Sequence, residues 1–173
     1  MQPENKVIEV YHAGTDRIEH PLCRKGRKNL DFGQGFYVTD IYDQAMNLAK
    51  ARAIERKASA KLNIYHLHKD EFLRDGKCLV LNQYDDEWLD FIVHCRAGKD
   101  IWKSYDYVEG GVADDRVINT VNLYIQGFIS KESALKNLQY LKPNNQICIL
   151  NQDLLNKYLI FTDCLELKDH GLL

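Results

Sequence analysis

The chain predicts an α+β domain, on three observations. Seven short runs rich in β-branched and aromatic residues read as strands, several with apolar and polar side chains in alternation. Residues 85–141 contain long stretches with apolar side chains at helical spacing instead. The 173 residues, 45% hydrophobic and 28% charged, are enough for one core, and no repeat, low-complexity tract or linker divides them. A single domain over 1–173 is therefore expected, with short strands at both ends and a helical insertion between.

Val7 to Tyr11 is the first strand, and it runs into the turn His12-Ala13-Gly14-Thr15. Pro21 and Gly26 break the loop that follows. Asp31-Phe32-Gly33-Gln34-Gly35-Phe36-Tyr37-Val38 then combines a glycine turn with an aromatic strand, Phe36 to Val38. Two glycines one residue apart let a backbone approach either a ligand or another strand, since neither carries a Cβ. Thr39 or Asp40 is expected to cap a helix whose apolar positions are Ile41, Ala45, Leu48, Ala49 and Ala53. Its basic far end, Lys50 to Lys61, suits the C-terminal dipole and is expected to be solvated.

Leu62 to His68 and Lys77 to Leu81 continue the strands. Trp88, Phe91, Ile92 and Cys95 form one apolar stripe of a helix that Gly98 ends. Tyr105 to Glu109 is a strand stopped by Gly110-Gly111. Ala113-Asp114-Asp115 is expected to open the next helix, with both carboxylates at the positive end of its dipole. Gly127 closes that helix, Ser130 caps another, and Pro143 stops it. Gln146 to Leu150, a turn near Asp153, and Tyr158 to Thr162 complete the chain.

A net charge of −2 does not mark a polyanion-binding surface. The densest basic run, Arg24 to Lys28, reads as a solvated loop; as a nucleic-acid contact it would suggest an RNA-modifying enzyme of the 2'-phosphotransferase type. Five scattered cysteines, Cys23, Cys78, Cys95, Cys148 and Cys164, fit free thiols in a reducing compartment. His66 and His68 share a strand face, but no third ligand follows at a diagnostic spacing, so no metal is expected. Met1 to Lys6 lacks the apolar core of a signal peptide and no run is long enough for a membrane span, so the expected location is cytoplasmic, with no membrane partner.

Three segments, Tyr11-His12-Ala13-Gly14-Thr15, Phe32-Gly33-Gln34-Gly35-Phe36-Tyr37-Val38-Thr39-Asp40 with Gln44-Ala45, and Asn145-Gln146-Ile147, fall at strand edges in a fixed order. Together they resemble the ADP-ribosyltransferase superfamily, in its histidine-tyrosine-glutamate branch of diphtheria-type toxins and poly(ADP-ribose) polymerases. They also resemble an uncharacterised bacterial family with the Asp-Phe-Gly-x-Gly-Phe-Tyr pattern. The resemblance is tight over residues 7–50 and rests on the final strand pair elsewhere.

It implies split mixed and antiparallel β-sheets around a cleft for nicotinamide adenine dinucleotide (NAD), used as co-substrate without a metal. The implied catalytic residues are His12, Tyr37 and Gln146. Those implied to contact the dinucleotide are His12, Ala13, Gly14, Thr15, Gly35, Phe36, Tyr37 and Thr39. His12 would bond the adenosine ribose, the Gly14 backbone the nicotinamide amide, and Tyr37 would stack on the nicotinamide ring. The implied activity is transfer of one ADP-ribose to a protein or nucleic-acid acceptor, as in toxins and effectors, with an antidote protein as a candidate partner.

The chain departs from the branch where Gln146 replaces the usual glutamate. An amide accepts a hydrogen bond but carries no charge and is no general base. Activation would then come from the acceptor or from another carboxylate, with Glu109, Asp114 and Asp115 as candidates. The alternative is a catalytically silent NAD-binding or interaction module.

Overall fold

The computed structural model describes residues 5–167. In chain order these form β1 (Val7–Gly14), β2 (Phe36–Val38), α1 (Tyr42–Arg56), β3 (Ala60–His68), α2 (Lys69–Asp75), β4 (Cys78–Leu81) and α3 (Asp86–Arg96). Then follow β5 (Tyr107–Gly110), α4 (Ile118–Ile125), α5 (Lys131–Leu138), β6 (Gln146–Ile149), α6 (Gln152–Tyr158) and β7 (Leu159–Leu167). All seven expected strands are present. The seven-residue α2 was not expected, because a short, mostly charged run carries no readable apolar period.

The strands divide into two sheets. One is antiparallel, in the order β1-β3-β7; the other is mixed, in the order β2-β6-β5-β4, with only β4 and β5 parallel. This α+β architecture, with split sheets and inserted helices, agrees with the topology implied by the resemblance. The sheets touch where Tyr11 and Thr39 exchange backbone hydrogen bonds of 2.8 and 3.0 Å.

Strand parity sends the mixed sheet's side chains into two cores. Phe36, Val38, Tyr107, Ile147 and Ile149 pack with Val10, Tyr65 and Leu67 of the antiparallel sheet. The opposite face contributes Val108 and Cys148, with Tyr37 beside them, to a core built with Trp88, Leu89 and Ile92 of α3 and Val121 of α4.

α1 lies against β1 and β3 through Ala45, Ala49 and Ala53, which meet Ala13, Ala60 and Leu62. Small side chains on both surfaces bring the helix close to the sheet. Ile41 and Leu48, expected in that stripe, are 39% and 36% exposed. Two further expectations are corrected. Ile41, not Thr39 or Asp40, occupies the cap position of α1, although the Thr39 hydroxyl accepts a bond from the Ile41 N–H at 3.1 Å. α4 begins at Ile118, so Asp114 and Asp115 precede it in a turn and do not sit in its first helical turn. Ser130 caps α5 as expected, its hydroxyl accepting from the Ser133 N–H.

Candidate functional site

Beyond the Tyr11–Thr39 bridge the two sheets part, and His12 spans the gap. Its Nδ1 lies 2.7 Å from the Tyr37 carbonyl oxygen. A carbonyl only accepts, so Nδ1 carries the proton and Nε2 is left with a free lone pair. The ring stacks on Phe36 with centroids 4.5 Å apart. Burial lowers the His12 pKa to about 4, outweighing the Tyr37 carbonyl, which raises it. His12 is therefore a neutral, orientation-locked imidazole with an acceptor beside Gly14.

Tyr37 sits next to it on β2. Its hydroxyl donates to the Gly33 carbonyl at 2.6 Å and accepts from the Phe32 N–H at 3.1 Å. The phenol thus holds the glycine turn in place, and only part of its surface faces the opening. Burial, then the neighbouring Cys148, push its pKa far up, so it stays a neutral phenol. Gln146 opens β6 opposite Gly110, on the same sheet face as Tyr37 and Cys148. Its side chain has no hydrogen-bond partner among the described residues.

The glycine turn makes room for the protein itself. A Cβ at Gly33, where φ is +87°, would fall 2.1 Å from the Trp102 ring. One at Gly35 would fall 2.5 Å from Cys148 Sγ and 2.6 Å from the Ile149 carbonyl. Of the two readings of the glycines, approach of another part of the chain is the one the packing uses. Gly26 meets the Gly35 backbone in the same way, and Gln34 donates to the carbonyls of Arg24 and Gly26. The basic loop is thereby docked onto the turn, although the Arg24 and Arg27 side chains are exposed.

Thr39 is committed elsewhere. It is buried, and its hydroxyl donates to the Asn145 carbonyl at 2.7 Å, tying β2 to the start of β6. Thr15 accepts from Arg56 Nη1 at 3.2 Å, and the Ala13 carbonyl accepts from Arg52 Nη1.

His12, Ala13, Tyr37, Thr39 and Gln146 line one small cavity of about 20 Å³, room for about one water molecule. It adjoins a large open cleft of about 1400 Å³ that also takes in Gly14, Thr15, Gly35, Phe36, Leu48 of α1, Asp31, and Val112 to Arg116. The nine site residues expected from the sequence, in three separated segments, thus meet around one opening, Ala13 and Thr39 through the small cavity alone.

The three candidate carboxylates have different fates. Glu109 lies on β5 facing away from Gln146, on the parity of Tyr107. It is 6% exposed and accepts from Lys69 at 2.9 Å, Asn145 at 3.0 Å and Tyr107 at 2.6 Å. Its face and its partners exclude it from the cleft. Asp114 lines the cleft but is held by Arg116 at 2.8 Å and Asn144 at 3.0 Å. Asp115 lines the cleft, is exposed, and has no side-chain partner among the described residues.

Two cleft groups escaped the sequence reading. Asp31 is buried and bonds Arg96 at 2.6 Å and the Ala113 N–H at 2.7 Å, joining the glycine turn to the segment before α4. Arg52, in the stretch expected to be solvated, is partly buried; its place three residues after buried Ala49, a spacing that shares a helix face, was the available signal. All five cysteines are free, and burial pushes Cys23 to about 11, Cys95 to about 12 and Cys148 well up, so these thiols are poor nucleophiles. Among the described residues no cluster of three or more metal-binding side chains occurs, and no helix is long and apolar enough to cross a membrane.

A family model described as "Protein of unknown function (DUF3990)" matches residues 8–161. No curated protein and no solved structure matches the chain. The match spans both sheets and every cleft segment, and the chain belongs to this family.

Proposed function

We propose that this DUF3990 member is an NAD-dependent mono-ADP-ribosyltransferase acting on a protein or nucleic-acid acceptor, in the manner of a bacterial toxin or effector. One observation carries the reading: His12, Tyr37 and Gln146, which are 25 to 134 residues apart, line one cavity at the split between the sheets. The loose association of the family with the ADP-ribosyltransferase-like clan supports it.

The size of the cleft and the groups that line it support a dinucleotide as its ligand. The Nε2 of neutral His12 can accept from a ribose hydroxyl, and the exposed part of Tyr37 offers an aromatic surface at the nicotinamide end. Gln146 can accept from, or donate to, the second ribose. In the reaction the bond between nicotinamide N1 and ribose C1' breaks, and the electron pair leaves with nicotinamide. C1' then bonds the acceptor nucleophile, whose proton goes to solvent or to a carboxylate. Positive charge develops on the ribose, so positioning and electrostatics dominate the barrier. Asp115 is the carboxylate free to assist.

A second reading, a silent NAD-binding module, is favoured by Gln146 itself, which supplies no negative charge beside that ribose. The purified chain, incubated with labelled NAD in lysate, should release nicotinamide and label a macromolecule. Nicotinamide-free, label-free incubations with undiminished NAD binding would replace the transferase by the silent module. Absence of NAD binding as well would remove both.

A further inference from the structure

Six arginines line the large cleft, and they divide into two sets. Arg17, Arg96 and Arg116 pair with Glu19, Asp31 and Asp114 at 2.6, 2.6 and 2.8 Å. Arg27, Arg52 and Arg56 pair with no carboxylate among the described residues. Arg52 is the partly buried one of these three, and a cation drawn out of water ordinarily has an anionic partner, because desolvation without one is costly; Arg27 and Arg56 are exposed beside it.

Two of the unpaired three are also held in place. Arg52 donates to the Ala13 carbonyl and Arg56 to the Thr15 hydroxyl, so both reach from α1 over the end of β1. They are four residues apart, about 6 Å along a helix axis. Arg27 comes from the basic loop that Gln34 fastens to the glycine turn. Burial first, and then the positive charges of Arg27 and Arg56, lower the pKa of Arg52. Each guanidinium has five N–H donors, and the described bonds use one on Arg52 and one on Arg56. Arg52 borders the small cavity together with His12 and Gln146.

We propose that Arg27, Arg52 and Arg56 form a diphosphate site, which makes the cleft selective for nucleoside diphosphates and their esters over nucleosides. This rests on the nucleotide reading of the cleft and specifies which part of the ligand is gripped. Two guanidinia one turn apart match two linked phosphates, and a third from the facing loop closes around them. Bidentate arginine contacts supply the geometry. A single isolated phosphate would engage only part of the set.

Calorimetry on the full chain tests this with inorganic pyrophosphate, ADP, ADP-ribose and adenosine as probes. Pyrophosphate, ADP and ADP-ribose should bind, more weakly as salt rises, and adenosine should bind at least about tenfold more weakly than ADP. Arg52→Gln and Arg56→Gln should each weaken ADP about tenfold, while Lys50→Gln, on the exposed face of the same helix, should leave it unchanged. Since Arg52 also holds the Ala13 carbonyl, thermal melts without ligand establish that its variant is folded, and Arg56→Gln decides the matter if it is not. Absence of ADP and pyrophosphate binding, no loss in the arginine variants, or an equal loss with Lys50→Gln would each overturn the site. If ADP binding depends on the arginines but NAD is neither bound nor cleaved, the diphosphate site stands and the transferase reading falls. If NAD is cleaved equally by the arginine variants, the reverse holds.

Discussion

The two faces of the mixed sheet carry the same kind of residue in opposite states. On one face Glu109 is a carboxylate with a cation, an amide and a phenol around it, sealed between the sheets. On the other, Gln146 is an uncharged amide with no protein partner, open to a cleft. Gly110 and Gln146 are paired in register, one residue along from Glu109 and Ile147, so the two side chains are neighbours in the sheet and strangers in environment. The charge that is fully satisfied serves the fold. The group left unsatisfied is the one available to a ligand.

Breaking the Glu109 side should have the largest effect on stability. Glu109→Ala leaves Lys69, 18% exposed, without its anion, and should lower unfolding free energy by about 3 kcal/mol or more in urea titrations. The folded fraction should bind ADP as before. A loss of ligand binding without loss of stability would mean that Glu109 belongs to the site after all.

Tyr37 stands between the two roles. Tyr37→Phe keeps the ring but strands the Gly33 carbonyl and the Phe32 N–H, and should cost about 1–3 kcal/mol by denaturant unfolding. Because Tyr37→Ala removes ring and hydroxyl together, the Phe variant is the one that separates turn support from ligand stacking.

His12 links stability to pH. Its folded pKa, about 4, lies below the ordinary 6.5, so the unfolded chain takes up a proton that the folded chain resists. The stability this confers is complete above about pH 6.5 and is lost as pH falls towards 4. Between pH 7 and pH 5 the loss from this group should be about 1–2 kcal/mol, and His12→Gln should show a correspondingly smaller decline. Equal declines in the two proteins would show that the imidazole is not held neutral.

Smallest of all, Gln146→Ala should change unfolding free energy by no more than about 0.5 kcal/mol, since the side chain supports nothing in the fold. A larger cost would make Gln146 structural and dissolve the contrast between the faces.

The strands were legible because their alternation and β-branched composition are local properties; Phe36 to Val38 and Leu62 to His68 needed nothing else. The meeting of His12, Tyr37 and Gln146 was implied only by resemblance, since pairing of β2 with β6 joins residues more than a hundred positions apart. The side of the sheet taken by Glu109 depends on that same long-range register, and no local pattern distinguishes it from Asp115. The two glycines, Gly33 and Gly35, mark close approach of either a ligand or another strand in the sequence, but what approaches in the fold, Trp102 and β6, is tertiary. Arg52 was hidden by its surroundings in sequence, a basic helix end whose other charges are solvated.

The most direct test of the account is nicotinamide release from NAD by the native chain and by Gln146→Glu, run beside NAD calorimetry. NAD should bind both proteins, and placing a carboxylate at position 146 should raise release by about a hundredfold, the scale of one electrostatic group in a water-poor site. If neither protein binds NAD and neither releases nicotinamide, the cleft between the sheets is not a dinucleotide site.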